Sequence, residues 1–269
     1  MLGRQLPILT LVALALCCVA SAEHLTDDVL IQMLGGSDEA ARVKARILLP
    51  RAGVDVAPKL LPLLHHENPA VWWAADKVLA DFANMVCAPG REDDRRQVTA
   101  HLMTLVAPEQ PEHIKKRGLK LLRLVIPEGC DVSPIAALLD DPELRERARA
   151  ALDETGTTEA QAALCAALDT PDPEFRCALL YTLAHLESTQ CLEQCLALTE
   201  SEDSMVRAAA ARVLAETGDA AYLDAVRRVR DQAEGASAFD ANDALLRLAD
   251  AMARAGGKWE LAMDVYRDV

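Results

Sequence analysis

Cys191 and Cys195 lie one helical turn apart, and with Cys165 and Cys177 upstream they put four sulfur groups in one stretch of chain. Thiolates in such a set bind zinc, or the thiols pair as disulfides. Cys87 and Cys130 stand alone further back. His65-His66-Glu67 offers two imidazoles and a carboxylate, ligand types suited to iron or zinc. Acid pairs at Asp27-Asp28, Asp93-Asp94 and Asp140-Asp141 have the residue types of general acid–base catalysis. The companions that catalysis needs are missing from the sequence, which contains no G-x-S-x-G elbow, no C-x-x-C, no H-E-x-x-H and no glycine-rich phosphate loop. Gly35-Gly36 and Gly256-Gly257 are isolated turn pairs. The acid pairs fall at helix starts or in loops and read as solvated surface. No catalytic residue, metal or cofactor is expected.

The elements that carry these groups repeat. An apolar–basic pair followed eight residues on by leucine occurs at Leu144-Arg145 with Leu152, Phe175-Arg176 with Leu183 and Val206-Arg207 with Leu214. Weaker copies are Ala41-Arg42 with Leu49, Val71-Trp72 with Leu79 and Ile114-Lys115 with Leu122. The starts are spaced by 30, 43, 30, 31 and 31 residues. A period in this range marks a stacked repeat array. Each unit reads as two helices, the echoed one second; Thr158 to Leu168, Thr189 to Thr199 and Asp219 to Gln232 read as first helices. Asp141-Pro142, Asp172-Pro173 and Asn68-Pro69 combine an N-cap side chain with proline at the first helical position. Gly53, Gly156 and Gly218 fall four residues past the anchoring leucine, where a left-handed C-terminal cap wants glycine. Val206, Ala209, Ala210, Val213 and Leu214 mark one buried face.

The second-helix pattern D-P-x-V-R-x-x-A-x-x-x-L, carried by Asp141 with Arg145, Asp172 with Arg176 and Asp203 with Arg207, resembles the bacterial HEAT-like repeat family, including the short repeats of phycobilisome lyases. The resemblance covers about residues 24 to 218 and is strongest from 141 onward. It implies an all-α, right-handed α-solenoid of about seven stacked two-helix HEAT-like repeats. It also implies an Asp–Arg ladder between neighbouring repeats at those three pairs, and second helices lining a concave face. The third repeat departs from the pattern: an insertion at about 84–97 lengthens it, Pro111 holds its cap position and Gly118 its alanine position. Trp72 replaces the ladder arginine in the second. Residues 219–269 read as a degenerate seventh repeat and a terminal helix from Lys258, which caps the stack, docks on another chain or belongs to something longer. Another HEAT-repeat family, deoxyhypusine hydroxylase, binds two irons through several His-Glu dipeptides. This chain has one, His66-Glu67, while Glu23-His24 and Glu112-His113 run in reverse. The resemblance therefore does not extend to iron.

Residues 1–22 read as a secretory signal peptide: Arg4, an apolar run from Leu6 to Val19, then Ala20-Ser21-Ala22 before Glu23. Export, to a periplasm or to the outside, is expected, with no membrane span left after cleavage. Arginine outnumbers lysine about three to one, which with the alanine content suggests a GC-rich bacterial genome. In an oxidising compartment the six remaining cysteines favour disulfides over zinc. Cys87 and Cys130 occupy equivalent positions in adjacent repeats and are the expected pair; the connectivity of Cys165, Cys177, Cys191 and Cys195 stays open. A formal net charge of −14 disfavours phosphate backbones, so nucleic acid is not an expected partner.

What remains is the outer stripe of the second helices, two, five and six residues past each anchor. It reads Val43, Arg46, Ile47; Trp73, Asp76, Lys77; Lys116, Leu119, Lys120; Glu146, Arg149, Ala150; Cys177, Leu180, Tyr181; Ala208, Ala211, Arg212. Trp73, Lys77, Lys116, Lys120, Arg149, Tyr181 and Arg212 are the candidate contacts, because aromatics and arginine dominate interface energetics. The expected function is a non-enzymatic exported scaffold that binds a protein partner through this face. The alternative is an accessory module of a larger exported enzyme.

Overall fold

A computed structural model describes residues 25–255 and 258–268 of the chain. The signal-peptide reading falls outside the described residues. The fold is all-α, and among the described residues there is no strand. Among the described residues fifteen α-helices follow one another, several extended or introduced by 3-10 turns. They are α1 Asp27–Gly35, α2 Glu39–Leu48, α3 Ala57–Leu60, α4 Pro69–Val86, α5 Glu92–Met103, α6 Glu112–Leu122, α7 Ser133–Ala136 and α8 Arg145–Thr155. The rest are α9 Thr158–Ala166, α10 Pro173–His185, α11 Leu192–Leu198, α12 Ser204–Glu216, α13 Leu223–Asp231, α14 Ala236–Ala255 and α15 Trp259–Asp268. Taken two at a time they give seven pairs, and α15 follows the last. Two compact units are present, one ending at Val78 and one starting at Leu79. In the second, each second helix packs on the next, α6 on α8, α8 on α10, α10 on α12 and α12 on α14, which is the stacking of a solenoid.

Local chemistry explains the helix starts. Asp38, Asp172 and Asp203 each accept two backbone N–H bonds from the first turn of their own helix, at 2.8 to 3.3 Å. Asn68 does the same once, from Ala70 at 2.9 Å. Such caps satisfy N–H groups that have no partner within the helix. Gly156 and Gly218 end α8 and the turn after α12 in the left-handed region, at φ 58° and 64°. The apolar anchors Val71, Ile114, Leu144, Phe175 and Val206 are buried, and so are all six leucines eight residues on, Leu49 to Leu214. The insertion becomes structure: α4 runs to 18 residues, and a turn through Gly90 at φ 82° leads into α5.

Gly118 has a packing reason to replace the alanine of the pattern. A Cβ built there would lie 2.7 Å from Leu105 Cβ and 3.3 Å from Leu105 C, so the helix approaches the preceding 3-10 turn closer than alanine allows. Gly118→Ala is therefore expected to destabilise the protein by about 1–2 kcal/mol, overpacking outweighing the helix-propensity gain of about 1 kcal/mol. Urea unfolding followed by circular dichroism checks this; a stabilised variant would show that the approach is looser.

The ladder forms differently from expectation. Arg145 pairs with Asp172 of the next repeat at 2.6 Å and lies 4.7 Å over the Phe175 ring. The Phe175 N–H and this guanidinium hold the Asp172 carboxyl below the usual carboxylate range. Arg176 and Arg207 turn backwards instead, to carbonyls of their own repeat: Arg176 to Leu168 at 2.9 Å and to Thr170, Arg207 to Ser201 at 2.8 Å. Arg42 makes the same reach to Gly36 at 2.7 Å, and Lys115 reaches Pro108 at 3.1 Å. These cations satisfy carbonyls left open between the two helices of a pair, which is why the motif carries one. Arg145 departs with its helix start: the Asp141-Pro142 segment forms a turn, and α8 begins only at Arg145.

Candidate binding surface

In the first unit the outer stripe is open. Trp73 on α4 is 46% exposed, with Val43 and Ile47 of α2 exposed beside the same line of positions. The Arg46 guanidinium lies 5.3 Å and the Lys77 ammonium 5.6 Å from the Trp73 ring centroid. Each such contact contributes about 0.5–1 kcal/mol at an exposed site. A shallow notch lined by Glu39, Arg42, Val43, Arg46, Ala70 and Ala74 runs against the indole. Asp76, expected on the stripe, is buried.

In the second unit α6 and α8 enclose a groove. Its lining is Lys116, Leu119, Lys120, Arg123, Glu146, Arg147, Arg149 and Ala150, five cations with one carboxylate. Lys116 is paired with Glu112 one turn back, and Arg123 with Glu154. Arg149 donates to Glu146 at 3.0 Å and to Thr182 Oγ1 at 2.6 Å, which fixes it between neighbouring repeats. Lys120 and Arg147 are exposed. The expected contacts Lys116, Lys120 and Arg149 are thus brought together. Arg123 and Arg147 join them although the stripe rule omits both. Their signal was cation density, three basic residues in 145–149 facing the run from Lys115 to Arg123.

The C-terminal part of the stripe holds a separate pocket, lined by Tyr181, Ala184, His185, Arg212, Glu216 and Arg247 among others. Leu180, Ala208 and Ala211 are fully buried, and α14 packs on α12 over them. The Tyr181 hydroxyl donates to Asp240 at 2.7 Å, and Arg212 pairs with Asp243 at 2.8 Å. Burial first, and then the Asp240 carboxylate, push the Tyr181 phenol upward. Tyr181 and Arg212 therefore fasten α14 while also lining this pocket. The small side chains of α12 are the cause: four consecutive alanines, Ala208 to Ala211, leave room for close approach on every side. α15 packs on α14, with Ala262 and Val265 buried, Tyr266 bonded to Asp250, and Arg230 holding Asp268 at 2.8 Å. Trp259 and Leu261 stay exposed.

The sulfur groups also fall out differently. Cys87 and Cys130 are not joined: Cys87 Sγ turns to the carbonyls of Ala83 and Leu124, and Cys130 Sγ to that of Asp131. Cys165 is bridged to Cys191, with Cα atoms 5.8 Å apart, well inside disulfide range. Cys177 and Cys195 are thiols. Burial is the main cause that pushes both upward, Cys177 to about 11 and Cys195 to about 12. His65, His66 and Glu67 lie exposed at the end of a 3-10 turn, where His66 Nδ1 accepts the Asn68 N–H at 2.9 Å. Among the described residues no group of three or more His, Cys, Asp or Glu is arranged to hold a metal ion.

The helix pairs with the best-formed caps and arginines lie between α9 and α14. Residues 162–245 match the HEAT repeats family. No curated protein matches the chain significantly. Among solved structures, an engineered protein is similar over 90% of this chain and 71% of its own, at 19% identity and a TM-score of 0.42. The complex of CpcE and CpcF of phycocyanin lyase from Nostoc is similar over 100% and 99%, at 15% identity and a TM-score of 0.39. Human deoxyhypusine hydroxylase in complex with glycerol is similar over 90% and 96%, at 19% identity and a TM-score of 0.37. At these TM-scores none of the three carries a function to this chain.

Proposed function

We propose that the chain is an exported, non-enzymatic scaffold that binds a protein partner through its second helices, with the α6–α8 groove taking carboxylates of that partner. The observation that carries this reading is the groove itself: five cations gathered on one surface of a chain whose net charge is −14. Local cation density against an acidic background steers an acidic segment to one place and repels it elsewhere. The Trp73 patch of the first unit is a separate apolar anchor of the kind that dominates interface energetics. Export is supported by the composition of residues 1–22 and agrees with the Cys165–Cys191 bridge.

The test is affinity capture from the exported fraction with residues 23–269, beside the triple variant Lys116→Glu, Lys120→Glu, Arg147→Glu. These positions lie at the surface, so helix content by circular dichroism should be unchanged. The expected result is a partner held by the unaltered protein, weakened by salt and lost by the variant. A partner kept by the variant moves the site to the Trp73 patch, and capture of nothing overturns the scaffold.

A further inference from the structure

Three sulfur atoms meet where the first helices of the fifth and sixth pairs adjoin. Cys165 on α9 is bonded to Cys191, the residue before α11. Cys195, one turn into α11, puts its Sγ 4.0 Å from Cys191 Sγ. Cys191 Sγ therefore has one bonded sulfur and one thiol sulfur within contact distance. The bridge borders a pocket lined by Cys165, Asp169, Gln190, Cys191, Gln194 and Tyr222 among others, and both bridged cysteines keep some exposure while Cys195 has none.

We propose that Cys165, Cys191 and Cys195 form a thiol–disulfide exchange site, in which the bridge moves to Cys191–Cys195 and a free Cys165 thiol is delivered to the pocket. The step balances by itself. Cys195 loses its proton to solvent and its thiolate attacks Cys191 Sγ. The Cys165–Cys191 bond breaks, its electron pair leaves on Cys165 Sγ, and that sulfur takes up a proton; one S–S bond is lost, one gained, and no outside oxidant or reductant is consumed. The product is reachable, because the Cys195 N–H bonds to the Cys191 carbonyl at 2.9 Å, closing one helical turn whose ends have Cα atoms about 6 Å apart, inside disulfide range. The pocket then presents a thiol to a disulfide-bearing molecule. Attack by the Cys165 thiolate gives a mixed disulfide and releases that molecule's second sulfur as a thiolate. Burial of Cys195, which pushes its thiol up to about 12, keeps the attacking thiolate scarce at neutral pH. Asp169 and Glu193 are the charged residues of the pocket lining, and the Cys195 shift comes from burial without either. Exchange is therefore slow at neutral pH and quickens about tenfold per pH unit below 12.

The site is independent of the partner-binding reading, and so is its test. A chain carrying Cys87→Ser, Cys130→Ser and Cys177→Ser is oxidised, held with excess iodoacetamide at pH 7 and pH 9, and mapped with trypsin without reduction. Cleavage after Arg176 separates Cys165 from Cys191 and Cys195, so the two bridges give different peptides. The expected result is label on Cys165 together with a Cys191–Cys195 link, forming about 100-fold faster at pH 9 than at pH 7. On the same background Cys195→Ser and Cys195→Ala leave Cys165 unlabelled, with circular dichroism reporting that each is folded. Label on Cys195 with Cys165–Cys191 intact, label on Cys165 without Cys195, label on all three or no label at either pH each overturns the proposal.

Discussion

Truncating Phe82 to alanine is expected to lower the unfolding free energy by about 3–5 kcal/mol. The chain has only three phenylalanines, and its interior is built mainly from alanine, leucine and valine. Phe82, on α4, is fully buried and is the largest of the fully buried side chains. Its removal leaves a cavity in a close-packed interior, so the loss includes contacts as well as transfer free energy. Phe239→Ala is the control: that ring is 77% exposed, and its removal is expected to change stability by no more than about 0.5 kcal/mol. Urea unfolding followed by circular dichroism distinguishes the two, and equal midpoints would contradict the placement of both rings. Because a solenoid is held by contacts between neighbouring repeats, the loss should appear first near α4.

Reducing Cys165–Cys191 is expected to cost about 3–4 kcal/mol on the chain-entropy account. The bond closes a loop of sequence separation 26 and joins first helices of adjacent pairs, beside the hydrogen bonds from Gln190 to the Thr158 carbonyl and from Gln194 to Asp169. The measurement is urea unfolding with and without dithiothreitol in a chain lacking Cys87, Cys130 and Cys177. A midpoint indifferent to reductant would mean that the bridge is not formed in solution. The exchanged Cys191–Cys195 bridge closes a much shorter loop and should protect less, so an alkaline pre-incubation is expected to remove part of the reductant effect.

The repeat itself and most helix positions and caps were legible in the sequence, whereas Asp141-Pro142 forms a turn ahead of its helix and Gly53 sits at φ 102° and ψ 167°, outside the left-handed cap. Asp172 and Asp203 cap their helices, Gly156 and Gly218 end theirs with positive φ, and every leucine eight residues past an anchor is buried. These are properties of a few consecutive residues, and the physics that sets them acts over one helical turn. The positions of Lys116, Lys120 and Arg149 on their helices followed from the period, while Arg123 and Arg147, which the period omits, did not.

Only the tertiary structure decided which groups meet across the pairs. Arg145 reaches the next repeat while Arg176 and Arg207 close carbonyls in their own, because α8 starts later than α10 and α12. The cysteines equivalent in sequence, Cys87 and Cys130, stay apart, and Cys165 finds Cys191 instead. Tyr181 and Arg212, placed outward by the same period as Lys120, are taken by Asp240 and Asp243 of α14. The distance between helices is set by side-chain volume summed across the contact, here the four alanines of α12, and no periodicity within one helix contains the position of the next.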